Sequence, residues 1–401
     1  MILTYIKTFF KSDYFRQNKP IILILFAWLF RLCFLLQGNA GGVSLNGFVL
    51  LQIALILTLF AILLSKGFYP ILLLQLTSTR LMALIYLLGM LSLVWSVLPL
   101  MSCFFAFENL VIMTTLLYLA YKTNSVYQLE RFFIGFIIAI LIMFFIRTIL
   151  LGGGYFHSVT YSTVAAMLTT YCLGEWKNEW RPEENNTTLR FGLFCGVFFL
   201  IITTSGGAIF STFLSCFAIV AFTKNQFIRF LAFFFIGIFA CLWFLGDSET
   251  VLSFLFPGKS TASITSAHGR TIIWNMIYEK IAERPWLGWG YAAVERVLPQ
   301  YCTDAHNSLI GIRGSLGNIG CCMLIMTMLS QLVYLFHRTY LFGFKGLLIA
   351  TICAFINSNT TAFLGAKASA SALTFQFLLV LGAAYTSLPL VENSTRNSNY
   401  A

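Results

Sequence analysis

Residues 305–320 read AHNSLIGIRGSLGNIG, where a polar stretch gives way to an apolar run. His306, one of four histidines in the chain, is followed by Asn307 and then by Gly311, Gly314, Gly317 and Gly320. An imidazole accepts a proton from a hydroxyl near neutral pH. The glycines let backbone approach a substrate or a neighbouring helix closely. A helix beginning near residue 316 would point free N–H groups at an anion. Arg270, Arg284, Arg296 and Arg313 add guanidinium groups, which grip phosphate oxygens through paired charge-assisted hydrogen bonds. Together these types suit an anionic, phosphate-linked donor and a hydroxyl acceptor. The same residues also fit a plainer reading, in which the histidine is a surface hydrogen-bonder and the arginines hold lipid headgroups. His268, beside Gly269 and Arg270, is a second candidate base, and His157 and His337 read as bystanders.

The elements that must position these residues are membrane helices. The 401 residues are 59% hydrophobic and 10% charged, with mean hydropathy +0.85, whereas a soluble domain carries roughly 25% charged residues. In lipid every backbone polar group must be paired internally, which leaves helices or a closed barrel. Barrel strands alternate apolar and polar residues, and FFIGFIIAILIMFF (132–145) does not. The fold class expected is therefore an all-α integral membrane protein. About twelve spans are expected, near 20–37, 47–64, 81–97, 100–121, 132–151, 158–174, 191–205, 207–223, 230–246, 316–336, 346–360 and 368–388. FYPILLLQLTSTR (68–80) is too short to span and reads as interfacial.

The organisation expected is nine helices over 1–246, a large periplasmic loop over 247–315, three helices over 316–388 and a polar tail over 389–401. Lysine and arginine are concentrated in the alternate loops that put both termini in the cytoplasm. On the outer side, Lys259, Arg270, Lys280, Arg284, Arg296 and Arg313 share the large loop, and Lys367 stands in another. Within that loop, GRTIIWNMIYEKIAERPWLGWGY (269–291) reads as a helix with Ile273, Ile277 and Ile281 on one face, stopped by Pro285. Such a helix is expected along the outer membrane boundary, with Trp286 and Trp289 as anchors. Arg31, Arg147 and Glu108 fall within spans, where charge is expensive and draws functional interest. The net charge of +11 is dispersed among loops, so nucleic acid is not an expected partner. The cysteines lie mostly in apolar runs, and no cysteine–histidine cluster has metal-ligand spacing, so no metal or other cofactor is expected. The first apolar run lacks a small-residue cleavage site and reads as a retained anchor.

Three stretches carry a family resemblance. His306-Asn307 followed by Gly317 and Gly320 resembles the motif of bacterial O-antigen ligases and their relatives. GRTIIW with ERPWLGWGY is similar to the segment preceding it, and LVWSVLP (93–99) to another recurrent stretch. The resemblance runs over about residues 85–330. It implies a multi-span inner-membrane glycosyltransferase of the O-antigen ligase, O-antigen or capsule polymerase, and exopolysaccharide polymerase group. Such enzymes move a glycan from undecaprenyl diphosphate to an acceptor sugar, with neither nucleotide sugar nor required metal. The site it implies has His306 and Arg270 as catalytic residues and Asn307, Arg313, Arg284, Gly317 and Gly320 as substrate-binding residues. The implied partners are the lipid-linked glycan, an acceptor glycan or lipid A core, membrane lipid and a chain-length regulator protein. The chain departs from the ligase pattern at TTSGGAIFSTFL (203–214), where Ser205 is followed by Gly206 and Gly207 instead of arginine. Another arginine, such as Arg313 or Arg147, could supply the charge, and the departure tilts the expectation slightly from ligase toward polymerase. A transporter of lipid-linked sugar is the remaining alternative, disfavoured by few intramembrane charges and no evident internal repeat.

Overall fold

The computed structural model describes residues 13–34, 47–67, 76–123, 125–151, 158–176, 186–203, 205–221, 230, 270–298, 305–342 and 345–387. His157, His268, Lys259, Cys302, the expected span at 230–246 apart from Phe230, and the tail lie outside the described residues. The described residues form helices α1 (Asp13–Phe34), α2 (Gly47–Ser65), α3 (Thr77–Leu91), α4 (Pro99–Tyr121), α5 (Val126–Leu151) and α6 (Ser158–Glu175). They continue with α7 (Asn186–Thr203), α8 (Gly206–Ala221), α9 (Arg270–Glu283), α10 (Ser308–Phe342), α11 (Lys345–Asn357) and α12 (Ala370–Ser387). Short 3-10 turns stand at Ser92–Val94 and Val294–Arg296. Among the described residues, six helices are long and apolar enough to cross a membrane: α2, α3, α4, α5, α7 and α10. Shorter apolar helices occur in α8, α11 and α12. The chain is thus a multi-pass helical membrane protein.

Local sequence explains the boundaries. Pro99 takes the first position of α4, where its missing N–H breaks no helical bond. α9 ends two residues before Pro285, as the proline dictates. α2 is the most peripheral span: Phe48, Leu50, Leu57 and Leu64 are exposed, a surface suited to lipid tails. Close helix packing relies on small residues, because lipid offers no hydrophobic drive between helices. Gly192 and Gly196, one turn apart on α7, abut Cys172 and Thr169 of α6. At the junction of α6 with α11, the Gly346 N–H donates to Glu175 Oε1 at 2.8 Å, a carboxylate meeting a helix N-terminus.

Two expectations change. The helix expected from about 316 begins at Ser308, and it is broken at Gly317, where φ is 66° and ψ −165°. The isoleucine stripe of α9, expected against the bilayer, faces protein. Ile277 and Ile281 are buried with Val294, Leu298, Ala305 and Ile310 in a small core of their own, and α9 packs on α10. The loop thus has enough apolar side chains to bury that stripe without lipid. Trp286 is exposed, whereas Trp289 is half-buried. Its ring is stacked under Arg284 at 4.1 Å and Lys280 at 5.3 Å, and its Nε1–H donates to the Lys280 carbonyl.

Candidate functional site

The break in α10 organises the site. Interrupting a helix frees carbonyls before the break and N–H groups after it, and these must find partners. The segment 285–290 supplies four of them from one side. Trp289 N–H donates to Gly314 O at 3.0 Å and Gly290 N–H to Ser315 O at 2.8 Å. Beyond the break, Asn318 N–H donates to Pro285 O at 2.7 Å and Ile319 N–H to Trp286 O at 3.5 Å. The segment is a backbone splint laid across the broken helix. Two glycines make it possible: Gly317 would drive a side chain into the Trp286 carbonyl, and Gly290, at φ 109°, would drive one into Ser96.

The LVWSVLP stretch closes the assembly. Trp95 Nε1–H donates to Leu287 O at 3.0 Å, Val97 N–H to Trp289 O at 3.3 Å, and Arg284 Nη1 to Trp95 O at 3.3 Å. The three stretches that carry the resemblance, far apart in sequence, are one hydrogen-bonded unit. Tyr291 anchors that unit in the bundle. It is fully buried, its hydroxyl donates to Ala366 O at 2.7 Å, and Asn109 of α4 donates to it at 3.3 Å. Burial pushes the Tyr291 hydroxyl well above its ordinary pKa, so it stays a neutral donor.

His306 sits in the turn that opens α10. Its φ is 53°, a left-handed conformation rare outside glycine, and among the described residues only Ala292 shares it without being glycine. Ala305, just before it, is fully buried, and its carbonyl accepts a 3.0 Å hydrogen bond from Trp274 Nε1 of α9. Arg270 lies one helical turn before Trp274 on the same face, since residues four apart stack along a helix. The first half of α9 is thus tied, through Trp274, to the residue before His306.

Asn307 caps α10: its Oδ1 accepts from Leu309 N–H at 3.0 Å and Ile310 N–H at 3.1 Å. Ser308 ties the same turn to the α11–α12 connection, accepting from Phe363 N–H at 3.0 Å and Leu364 N–H at 3.1 Å. Arg313 donates from Nε to Asn318 Oδ1 at 2.8 Å, bridging the helix break. Gly320 is buried within the helix against Leu316. Of the residues expected to bind substrate, then, Asn307, Arg313, Arg284, Gly317 and Gly320 each have a framework partner.

A cavity of about 240 Å³ opens beside this turn, walled by α4, α6, the first turns of α10, the Val294–Arg296 turn and the α11–α12 connection. Neither His306 nor Arg270 lines it. Its charged residues are Glu295, Arg296 and Lys367, and Ser308, Gly311, Ser315 and Thr160 contribute to its wall. Sequence reading counted Arg296 among the guanidinium groups suited to phosphate and Lys367 only as an outer-side charge. The available signal was that Lys367 is a lysine on the side where the positive-inside rule disfavours one. α8 begins at Gly206, and a side chain at Gly207 would meet Thr360, next to the cavity-lining Thr361. Arg147 stands within electrostatic reach of Tyr161, the neighbour of the cavity-lining Thr160.

Comparison with known families matches residues 191–325, a third of the chain, to the family model described as O-antigen ligase. The match covers the segment from α7 through the splint to the second part of α10. No curated protein matches the chain.

Proposed function

The chain carries a domain of the O-antigen ligase and polymerase superfamily, and from that premise we propose that it is a polymerase of lipid-linked glycans. It moves a glycan from undecaprenyl diphosphate to a sugar hydroxyl on the periplasmic side of the inner membrane. The observation that supports this most is the junction of α9 with the α10 turn. Trp274 of α9 donates to the carbonyl of Ala305, the residue before a histidine held in a left-handed backbone conformation, and Ser308 of the same turn lines a cavity. Strained backbone persists only where surrounding structure holds it, and it gathers at active sites.

In the proposed reaction the acceptor oxygen attacks the anomeric carbon of the donor sugar. The bond from that carbon to the diphosphate oxygen breaks, and polyprenyl diphosphate leaves with the electron pair. His306 orients the acceptor hydroxyl and takes its proton. Arg270, with Arg313 or Arg284, balances the charge developing on the diphosphate. A single displacement inverts the anomeric centre. Loss of one such charge-assisted contact costs roughly 2–4 kcal/mol of transition-state stabilisation. His306→Ala and Arg270→Ala are each expected to abolish the long glycan ladder on a gel while the protein inserts at normal levels. An unchanged ladder in both would remove this mechanism.

The matched description favours a second reading, a ligase that joins the finished glycan to lipid A core. Gene deletion separates the two. Loss of a polymerase leaves a single repeat capping the core, whereas loss of a ligase leaves the core bare and polymer on the carrier lipid.

A further inference from the structure

The cavity beside the His306 turn has an uneven charge. Arg296, from the Val294–Arg296 turn, and Lys367, from the α11–α12 connection, reach it from separate segments, and Glu295 joins them. Its formal balance is one positive charge. Its volume of about 240 Å³ corresponds to about eight waters at ~30 Å³ each, room for one sugar ring. Phe105 gives it an apolar wall and Thr160 a hydroxyl, the mixture that takes the C–H face and the hydroxyls of a sugar. Ser308 forms another part of the wall, two residues from His306.

Two cations with one carboxylate suit a monoanion that also carries hydroxyl groups. Guanidinium and ammonium take the anion, and the carboxylate accepts from neighbouring hydroxyls. A diphosphate brings two charges and would set one against Glu295, a like-charge pairing that disfavours it. We infer that this cavity is a subsite for an acidic sugar, a uronate residue of the glycan being joined, with Lys367 and Arg296 selecting its carboxylate. The inference rests on reading the chain as a glycan transferase, and it gives that reaction a substrate class.

Binding tests it without the donor lipid. Full-length protein in lipid nanodiscs is titrated with methyl glucuronide, methyl glucoside and inorganic pyrophosphate, followed by saturation-transfer NMR. The glucuronide is expected to bind about tenfold more tightly than the glucoside, as one charge-assisted contact allows. Lys367→Gln is expected to erase that preference and Lys367→Arg to keep it, which separates charge from folding. Pyrophosphate is expected not to displace the glucuronide. Equal binding of both sugars, absence of glucuronide binding, displacement by pyrophosphate, or an unchanged preference in Lys367→Gln would each overturn the proposal. Since no transfer occurs in this assay, a failed binding result leaves the transfer test with His306→Ala standing on its own, and the reverse.

Discussion

His306 and Asn307 are neighbours with opposite tasks. A left-handed backbone at a residue other than glycine costs of order 1–3 kcal/mol, and His306 carries that cost at φ 53°. Replacing it with glycine removes the strain together with the imidazole. His306→Gly is expected to melt at or above the temperature of the parent protein, followed by tryptophan fluorescence in detergent, while producing no glycan ladder. A lower melting temperature would show that the side chain serves packing. Asn307→Ala removes a cap worth ~1 kcal/mol. It is expected to lower the melting temperature with part of the ladder retained, and complete loss of the ladder at normal stability would make Asn307 a substrate ligand as well as a cap. The histidine was legible in the sequence because its chemistry is unusual in so apolar a chain. The cap was not read, because the helix was expected to begin near 316, well beyond Asn307. Lys367 could be seen as an outer lysine and no more, since its place at the cavity depends on how the α11–α12 connection folds back.

At the scale of elements, the splint is the feature that matters. The 285–290 segment satisfies both sides of the α10 break, so the break and the splint stand or fall together. Gly317→Ala must place a Cβ against the Trp286 carbonyl at positive φ, and it is expected to cost more than ~1 kcal/mol. Trp95→Phe keeps the ring and removes one hydrogen bond to Leu287, costing ~1 kcal/mol. Both changes are read as lower melting temperatures, and parent-like melting in Gly317→Ala would mean the splint does not hold the helix. The individual helices follow from apolar length and proline placement, and most of their positions were legible. The helix break was not, because Gly317 reads as one of four spaced glycines and its partners lie some thirty residues earlier. The lipid-facing role expected for α9 failed for a related reason. Periodicity identifies an apolar face without saying what covers it, and here Val294, Leu298 and Ile310 cover it.

At the scale of the whole molecule, buried polar groups tie the bundle together. Glu108 of α4 accepts from Trp28 of α1 at 2.8 Å and from Gln52 of α2, and it lies within electrostatic reach of the buried Arg31. The two make no direct ion pair, but a buried charge that loses the opposite charge near it still carries a desolvation cost of roughly several kcal/mol. Arg31→Met is therefore expected to destabilise strongly, and Arg31→Met with Glu108→Gln to regain part of the loss. Additive losses in the melting temperatures would mean the two charges are not coupled. Both residues were singled out in the sequence as intramembrane charges, and the structure gives Glu108 a framework role between α1 and α2.

The central claim is transfer of a glycan with His306 as the base and polyprenyl diphosphate as the leaving group. Its most direct test is purified protein in proteoliposomes with a defined polyprenyl diphosphate-linked repeat. The parent protein is expected to build a ladder of products and release polyprenyl diphosphate in step, and His306→Ala to do neither. Donor left intact by the parent protein, or an equal ladder from His306→Ala, would contradict it.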